Sequence, residues 1–203
     1  MRLPTLTDVL KAQHLIPLGH CAHDGGTLVL IGPDEPAFWP HFTQGPEYQD
    51  GAADPLDRWS TRILHAIAED VQGKAYFPFG GPPYHPFFTW ALDTGRFFAS
   101  PIGFLVHDTR GLFASFRGAI LLPEPIAAAP GQNPCTTCAA PCKTACPVGA
   151  FDDGYNVDAC KTHINAPEGA DCIAQGCRAR RACPVYQGNR RPMQAQHHMK
   201  AFQ

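Results

Sequence analysis

The sequence predicts an α+β sheet domain followed by a small, separate metal-binding module. Three features lead there. Eight of the nine cysteines fall between 135 and 183, and only Cys21 lies outside. Residues 123–134 (Pro-Glu-Pro-Ile-Ala-Ala-Ala-Pro-Gly-Gln-Asn-Pro) have too little to bury and read as a linker, which divides the chain into 1–130 and 131–203. Upstream of it, helical and strand-like apolar patterns are mixed.

The first 130 residues supply the elements in turn. Leu3 to Leu15 reads as a short helix with Thr7 or Asp8 near its start. Thr27-Leu-Val-Leu-Ile31 is an apolar run closed by Gly32-Pro33, as a buried strand would be. Residues 33–54, rich in Pro, Gly and Asp, predict a loop with one helical turn around Ala37–Phe42. Leu56, Trp59, Ile63, Leu64, Ile67, Ala68 and Val71 recur at helical spacing, which predicts an amphipathic helix over 56–71.

Residues 76–88 form an aromatic, proline- and glycine-rich loop. It either lines a concave site, with Tyr84 as a candidate ligand contact, or packs as a lid over the core. Residues 102–107, a turn at 108–111, and the apolar runs 112–116 and 118–122 predict a β-rich segment, read as a hairpin.

Composition narrows the function. The chain has 203 residues and a formal net charge of −2, too little to suggest a nucleic-acid binder. No apolar stretch reaches membrane-spanning length, and the first residues lack the apolar run of a signal peptide. A soluble, cytoplasmic protein is expected, in which clustered cysteines bind metal rather than form disulfides. Residues 135–203 hold 8 Lys+Arg against 5 Asp+Glu, whereas 1–134 hold 8 against 13. A basic surround suits thiolate-ligated clusters that carry net negative charge.

The cysteine run Cys135-Thr-Thr-Cys138-Ala-Ala-Pro-Cys142-Lys-Thr-Ala-Cys146-Pro147 is C-x2-C-x3-C-x3-C-P, one residue longer than the bacterial ferredoxin run. Three closely spaced thiolates wrap one cubane, and the fourth, before proline, reaches to a neighbouring cluster. Cys160, Cys172, Cys177 and Cys183-Pro184 form a second group with the same ending. Two [4Fe–4S] clusters then use all eight of these cysteines. One takes Cys135, Cys138, Cys142 and Cys183, and the other takes Cys146, Cys160, Cys172 and Cys177. Alternatives are two four-cysteine zinc sites, a [3Fe–4S] centre, or His163 in place of a cysteine. Arg178, Arg180, Arg181, Arg190 and Arg191 are either a solvated basic face or counter-charge and a docking patch for a redox partner, the electron donor.

The segment Cys135 to Tyr186 resembles the two-cluster module of epoxyqueuosine reductase and the reductive dehalogenases, with Cys160 as the lone cysteine between the groups. Its last group, C-x4-C-x5-C-P, is more widely spaced than theirs. The stretches 26–39 and 106–123 resemble the cyanocobalamin decyanase of the methylmalonic aciduria type C family. That resemblance places His107 at the decyanase's cofactor-pocket histidine and Arg117 in the Arg-Gly of its hairpin. It implies a nitroreductase-like (cobalamin-reductase-like) sheet domain ahead of a ferredoxin-like module, and cobalamin as bound group, with flavin more distant. The implied activity is an iron–sulfur oxidoreductase that passes single electrons to a corrinoid or other small-molecule acceptor. The alternatives are a ferredoxin-like carrier without a substrate site, or a cobalamin-processing module. The chain lacks the helical repeat region with which epoxyqueuosine reductase grips transfer RNA, so queuosine chemistry is not expected. Cys21, within His20-Cys-Ala-His23, reads as a free cysteine rather than part of a metal site.

Overall fold

A computed structural model describes residues 2–185 and 191–203. The fold is mixed α and β. It divides into two compact units, residues 1–97 with 114–132 and residues 98–113 with 133–203. The segment 98–113 thus falls with the cysteines rather than with the sheet.

The first unit begins with α1 (Arg2–Ala12), whose Leu6 and Leu10, four apart, are fully buried. His14 takes a positive φ of 51° and ends the helix, so Leu15 starts β1 (Leu15–His23) instead of closing α1. Strand β1 pairs antiparallel with β2 (Gly26–Pro33). Asp24 and Gly25, both at positive φ, make the two-residue turn between them, the conformation that matches strand twist. Every residue of β2 is buried, as its unbroken apolar run requires. Two short helices follow, α2 (Phe38–Phe42) and α3 (Pro46–Gln49).

Helix α4 (Pro55–Asp70) buries Leu56, Trp59, Ile63, Leu64, Ile67 and Ala68, the stripe its periodicity predicts. Strand β3 (Lys74–Tyr76) and helix α5 (Phe87–Asp93) bracket the aromatic loop. The two short strands β4 (Phe97–Ala99) and β5 (Leu105–His107) pair with each other. Strand β6 (Gly118–Leu122) lies between β2 and β3, which gives a four-stranded antiparallel sheet in the order β1-β2-β6-β3.

The expected hairpin over 102–122 does not form. Residues 112–116 are not a strand, and β6 pairs with β2 and β3 instead of folding back on β5. Ala119, Ile120 and Leu122 are buried, and a central strand with neighbours on both sides hides them better than a two-stranded ribbon. Gly118 permits the close fit, because a Cβ there would meet the Tyr76 carbonyl oxygen at 2.8 Å and a Leu64 methyl at 2.5 Å. Leu6, Leu15, Val29, Ile31, Leu64 and Ile120 lie at the centre of this unit's apolar core.

The second unit carries short helical pieces threaded between cysteines. They are 3-10 turns (Pro141–Lys143 and Pro167–Gly169), α6 (Val157–Asn165), α7 (Ala170–Gln175) and α8 (Arg178–Arg181), and α9 (Pro192–Phe202) follows the last cysteine. Its core joins Ile102, Val106, Leu112, Phe151 and Ala179 to Cys142 and Cys183. Among the described residues, no helix is long and apolar enough to cross a membrane.

Candidate metal centre

The cysteines of the second unit sit on tight turns and short helices. The Asn133 side-chain oxygen accepts the Cys135 backbone N–H at 3.0 Å, and Cys138 closes the next turn by donating to the Cys135 carbonyl. Ala140 adopts a left-handed φ of 53° ahead of Pro141, and its N–H donates to Cys138 Sγ at 3.4 Å. The 3-10 turn that follows buries Cys142. Gly149, at positive φ, bends the chain back so that the Ala150 N–H reaches Cys146 Sγ at 3.4 Å.

Helix α6 carries Cys160 and is capped by Asn156, whose side-chain oxygen accepts the Ala159 N–H at 2.9 Å. Cys172 lies on α7, which stops at Gly176 (φ +84°). Cys177 then occupies the N-cap position of α8, and Cys183 follows that helix, its N–H donating to the Arg180 carbonyl.

The thiols separate into two groups. Cys135, Cys138, Cys142 and Cys183 line one cleft together with Val106 and Leu112. Burial pushes the Cys135 thiol up, and the neighbouring sulfurs of Cys138, Cys142 and Cys183 push it further. The Cys142 thiol is likewise raised by burial and then by Cys183, against the backbone N–H groups of Cys142 and Lys143. The turn at 107–111 packs on this group, since a Cβ on Gly111 would meet Cys183 Sγ at 3.0 Å.

Cys146, Cys160 and Cys177 act on Tyr155. Its hydroxyl is pushed up by burial, by a hydrogen bond with Cys160, and by the charges of Cys160, Cys177 and Cys146. Cys172 is raised by burial and opposed by the Arg178 backbone N–H, with Cys177 close enough to raise it as well. Cys177 is raised by burial and opposed by the Arg180 backbone N–H, the Arg180 guanidinium and the Ala179 N–H. An open cleft lined by Phe104, Phe151, Gly154 and Tyr155 adjoins this group.

These surroundings fit thiolate ligands. Backbone N–H groups aimed at sulfur favour the charged form, while the sulfurs oppose one another's ionisation until a cation neutralises them. All nine cysteines are free of disulfides. Among the described residues, no group of three or more His, Cys, Asp or Glu closes on a single metal ion. A four-iron cage asks for something else, thiolates spread over its separate corners.

The other expected site residues lie elsewhere. His107 belongs to the second unit and is 2% exposed. Its Nδ1 accepts the backbone N–H groups of Thr109 and Arg110 at 3.2 Å and lies 3.0 Å from the Asp108 carboxylate, so its own turn holds the ring. Tyr84 and Arg117 belong to the first unit. Tyr84 is 66% exposed. Arg117 is nearly buried, with Nη1 3.6 Å from Asp57 and without a hydrogen bond; burial lowers its pKa and raises that of Asp57. Within and beside the loop 76–88, Tyr76 meets His85 at 5.0 Å and Trp90 at 5.7 Å, and His85 stacks on Trp90 at 5.6 Å.

Cys21 is buried on β1, its thiol raised by burial and then by Asp93. His163 stands on α6 one turn after Cys160. Of the basic residues, Arg178 and Arg181 pair with Asp171, and Arg190 lies outside the described residues. Tyr155 had no signal in the sequence, because an aromatic residue five positions before a cysteine is not a motif. No protein-family model, curated protein or solved structure matches the chain.

Proposed function

We propose that this chain is an iron–sulfur electron-transfer protein with one [4Fe–4S] cluster on Cys135, Cys138, Cys142 and Cys183 and a second on Cys146, Cys160, Cys172 and Cys177. The observation that supports this reading is that Cys183, from the second sequence group, lines one cleft with Cys135, Cys138 and Cys142, which leaves Cys146, Cys160, Cys172 and Cys177 for the second cluster. Bound there, the two cubanes would supply one-electron transfer. The chain's own residues do the rest. Backbone N–H groups of Ala140, Lys143, Ala150 and Ala179 orient the sulfurs, and Ile102, Val106, Leu112 and Phe151 exclude water.

Two readings differ in where the electron goes. In the first, the sheet unit is nitroreductase-like and holds a corrinoid acceptor, which makes the protein a reductase. Arg117 favours it, because a buried guanidinium nitrogen without a hydrogen bond is a donor that a polar ligand group would satisfy. In the second, the protein is a ferredoxin-like carrier. The mutual packing of Tyr76, His85 and Trp90 and the locked ring of His107 favour that one.

Anaerobically purified protein is expected to contain about eight iron and eight acid-labile sulfide per chain, and zinc or half that iron overturns the assignment. Titration with base-off cobalamin then divides the two readings. A spectral change that Arg117→Ala abolishes establishes the first, and no change establishes the second.

A further inference from the structure

Strand β4 ends at Ala99, and Ser100 opens the turn that leads on to β5. Its backbone is fully used there. The Ser100 N–H donates to the Phe104 carbonyl at 2.9 Å, and the Ser100 carbonyl accepts the Gly103 N–H at 2.9 Å. A serine in a turn ordinarily spends its hydroxyl on a neighbouring backbone group. This one does not. Ser100 is 8% exposed, and its Oγ is buried without a hydrogen-bond partner among the described residues.

A buried hydroxyl in that state has given up water and gained nothing, so it calls for a partner. Its surroundings indicate which. Ser100 lines the cleft that Cys135, Cys138, Cys142 and Cys183 share. The other side chains of that wall are apolar, among them Val106, Leu112, Pro134, Pro141 and Val185. Among the described residues, Ser100 is therefore the wall's one polar side chain apart from the thiols. The turn would stand equally well on alanine, since its hydrogen bonds are all backbone.

A four-iron cage held by these four thiolates presents sulfur to the wall, and sulfur accepts hydrogen bonds. Reduction adds negative charge to the cage and its ligands. An O–H donor beside them stabilises that added charge and raises the reduction potential. We infer that the Ser100 hydroxyl is a hydrogen-bond donor to sulfur of the first quartet's cluster and holds that cluster's reduction potential up. The inference rests on the proposed function, and the iron count separates the two.

The experiment is a redox titration, monitored by electron paramagnetic resonance, of the anaerobically purified full chain and of Ser100→Ala and Ser100→Thr. In Ser100→Ala the reduced-to-oxidised ratio of one cluster at fixed potential should fall about tenfold, a shift of about 59 mV for one electron. The other cluster's midpoint and the iron content should stay at the parent values. Ser100→Thr keeps the hydroxyl and should keep the parent midpoint. Resonance Raman spectra in light and heavy water give a second reading. Deuterium on the hydroxyl should shift iron–sulfur stretching bands of the parent, and Ser100→Ala should lose that part of the shift. Unchanged midpoints in Ser100→Ala, or a fall as large in Ser100→Thr, overturn the inference while the iron count still stands. A parent chain without iron and sulfide overturns the proposed function itself.

Discussion

The sheet unit fills its interior with hydrocarbon, from Leu6, Leu10, Leu15, Val29, Ile31, Leu64 and Ile120, together with Phe38 and Phe42, which stack on each other and meet Trp59 edge to face. The second unit's interior places Cys142 and Cys183 among Ile102, Val106 and Leu112, with Cys135, Cys146 and Cys177 at its margin. Its helices are short: α7 has 6 residues and α8 has 4, too few to stand without tertiary support. Burial of apolar surface can hold the first unit together. In the second unit thiols take part of the interior, so the proposed clusters would add to what holds it.

The largest effect should come from removing metal. Chelation of iron is expected to unfold the second unit and leave the sheet unit cooperative, because the ligand set and the core are partly the same residues. Limited proteolysis with circular dichroism checks this, and cleavage confined to residues 98–113 and 133–203 is the expected pattern. Equal loss of both units would erase the distinction.

Next in size is Leu64→Ala in the sheet unit. Leu64 is fully buried under Gly118, and its truncation should cost about 2–5 kcal/mol in chemical denaturation while the iron content stays unchanged.

A smaller change follows from Glu47, which is 10% exposed and accepts two hydrogen bonds from Arg62, at 2.5 and 3.0 Å. The Arg62 hydrogen bond, ahead of burial that opposes it, holds the Glu47 carboxyl below its usual range. A depressed carboxyl adds stability above its unfolded pKa, and that stability is lost as pH falls through the folded value. Glu47→Gln should therefore cost about 1 kcal/mol at pH 7, given that Arg62 is half exposed, and nothing in strong acid. Denaturation at pH 7 and at pH 2 tests the sign.

The smallest effect belongs to Cys21. Its buried, raised thiol should resist alkylation in the folded protein at pH 7, and Cys21→Ala should leave the iron count unchanged. Mass spectrometry after alkylation reads this directly.

How far the sequence reached differs between the units in the same way. Helix α4 and strand β2 were legible because burial imposes a repeat on them, 3.6 residues in one and an unbroken apolar run in the other. Strand β1 was not. Its run holds Pro17, Gly19, His20 and His23, and a shift of register between Pro17 and Gly19 breaks the alternation. The Asp24-Gly25 turn was a readable hairpin signal that the extended helix over 3–15 obscured. The hairpin expected over 102–122 failed because the choice of pairing partner is set by the whole sheet, not by the run itself.

In the second unit, spacing alone suggested the eight cysteines and a division between two clusters, since a Cys-Pro ending marks a thiol that can leave its group. Spacing carries no information on Tyr155 or the orientation of Arg180. Tyr155 is held edge-on by Phe104 and Arg180 by the Leu112 carbonyl, both distant in sequence.

Mössbauer spectroscopy of the full chain, grown on iron-57 and purified without oxygen, tests the central claim most directly. Two cubanes on the two quartets require about eight iron per chain with the spectrum of four-iron cages. Isolated tetrahedral iron, zinc in its place, or cages at about four iron per chain would contradict it.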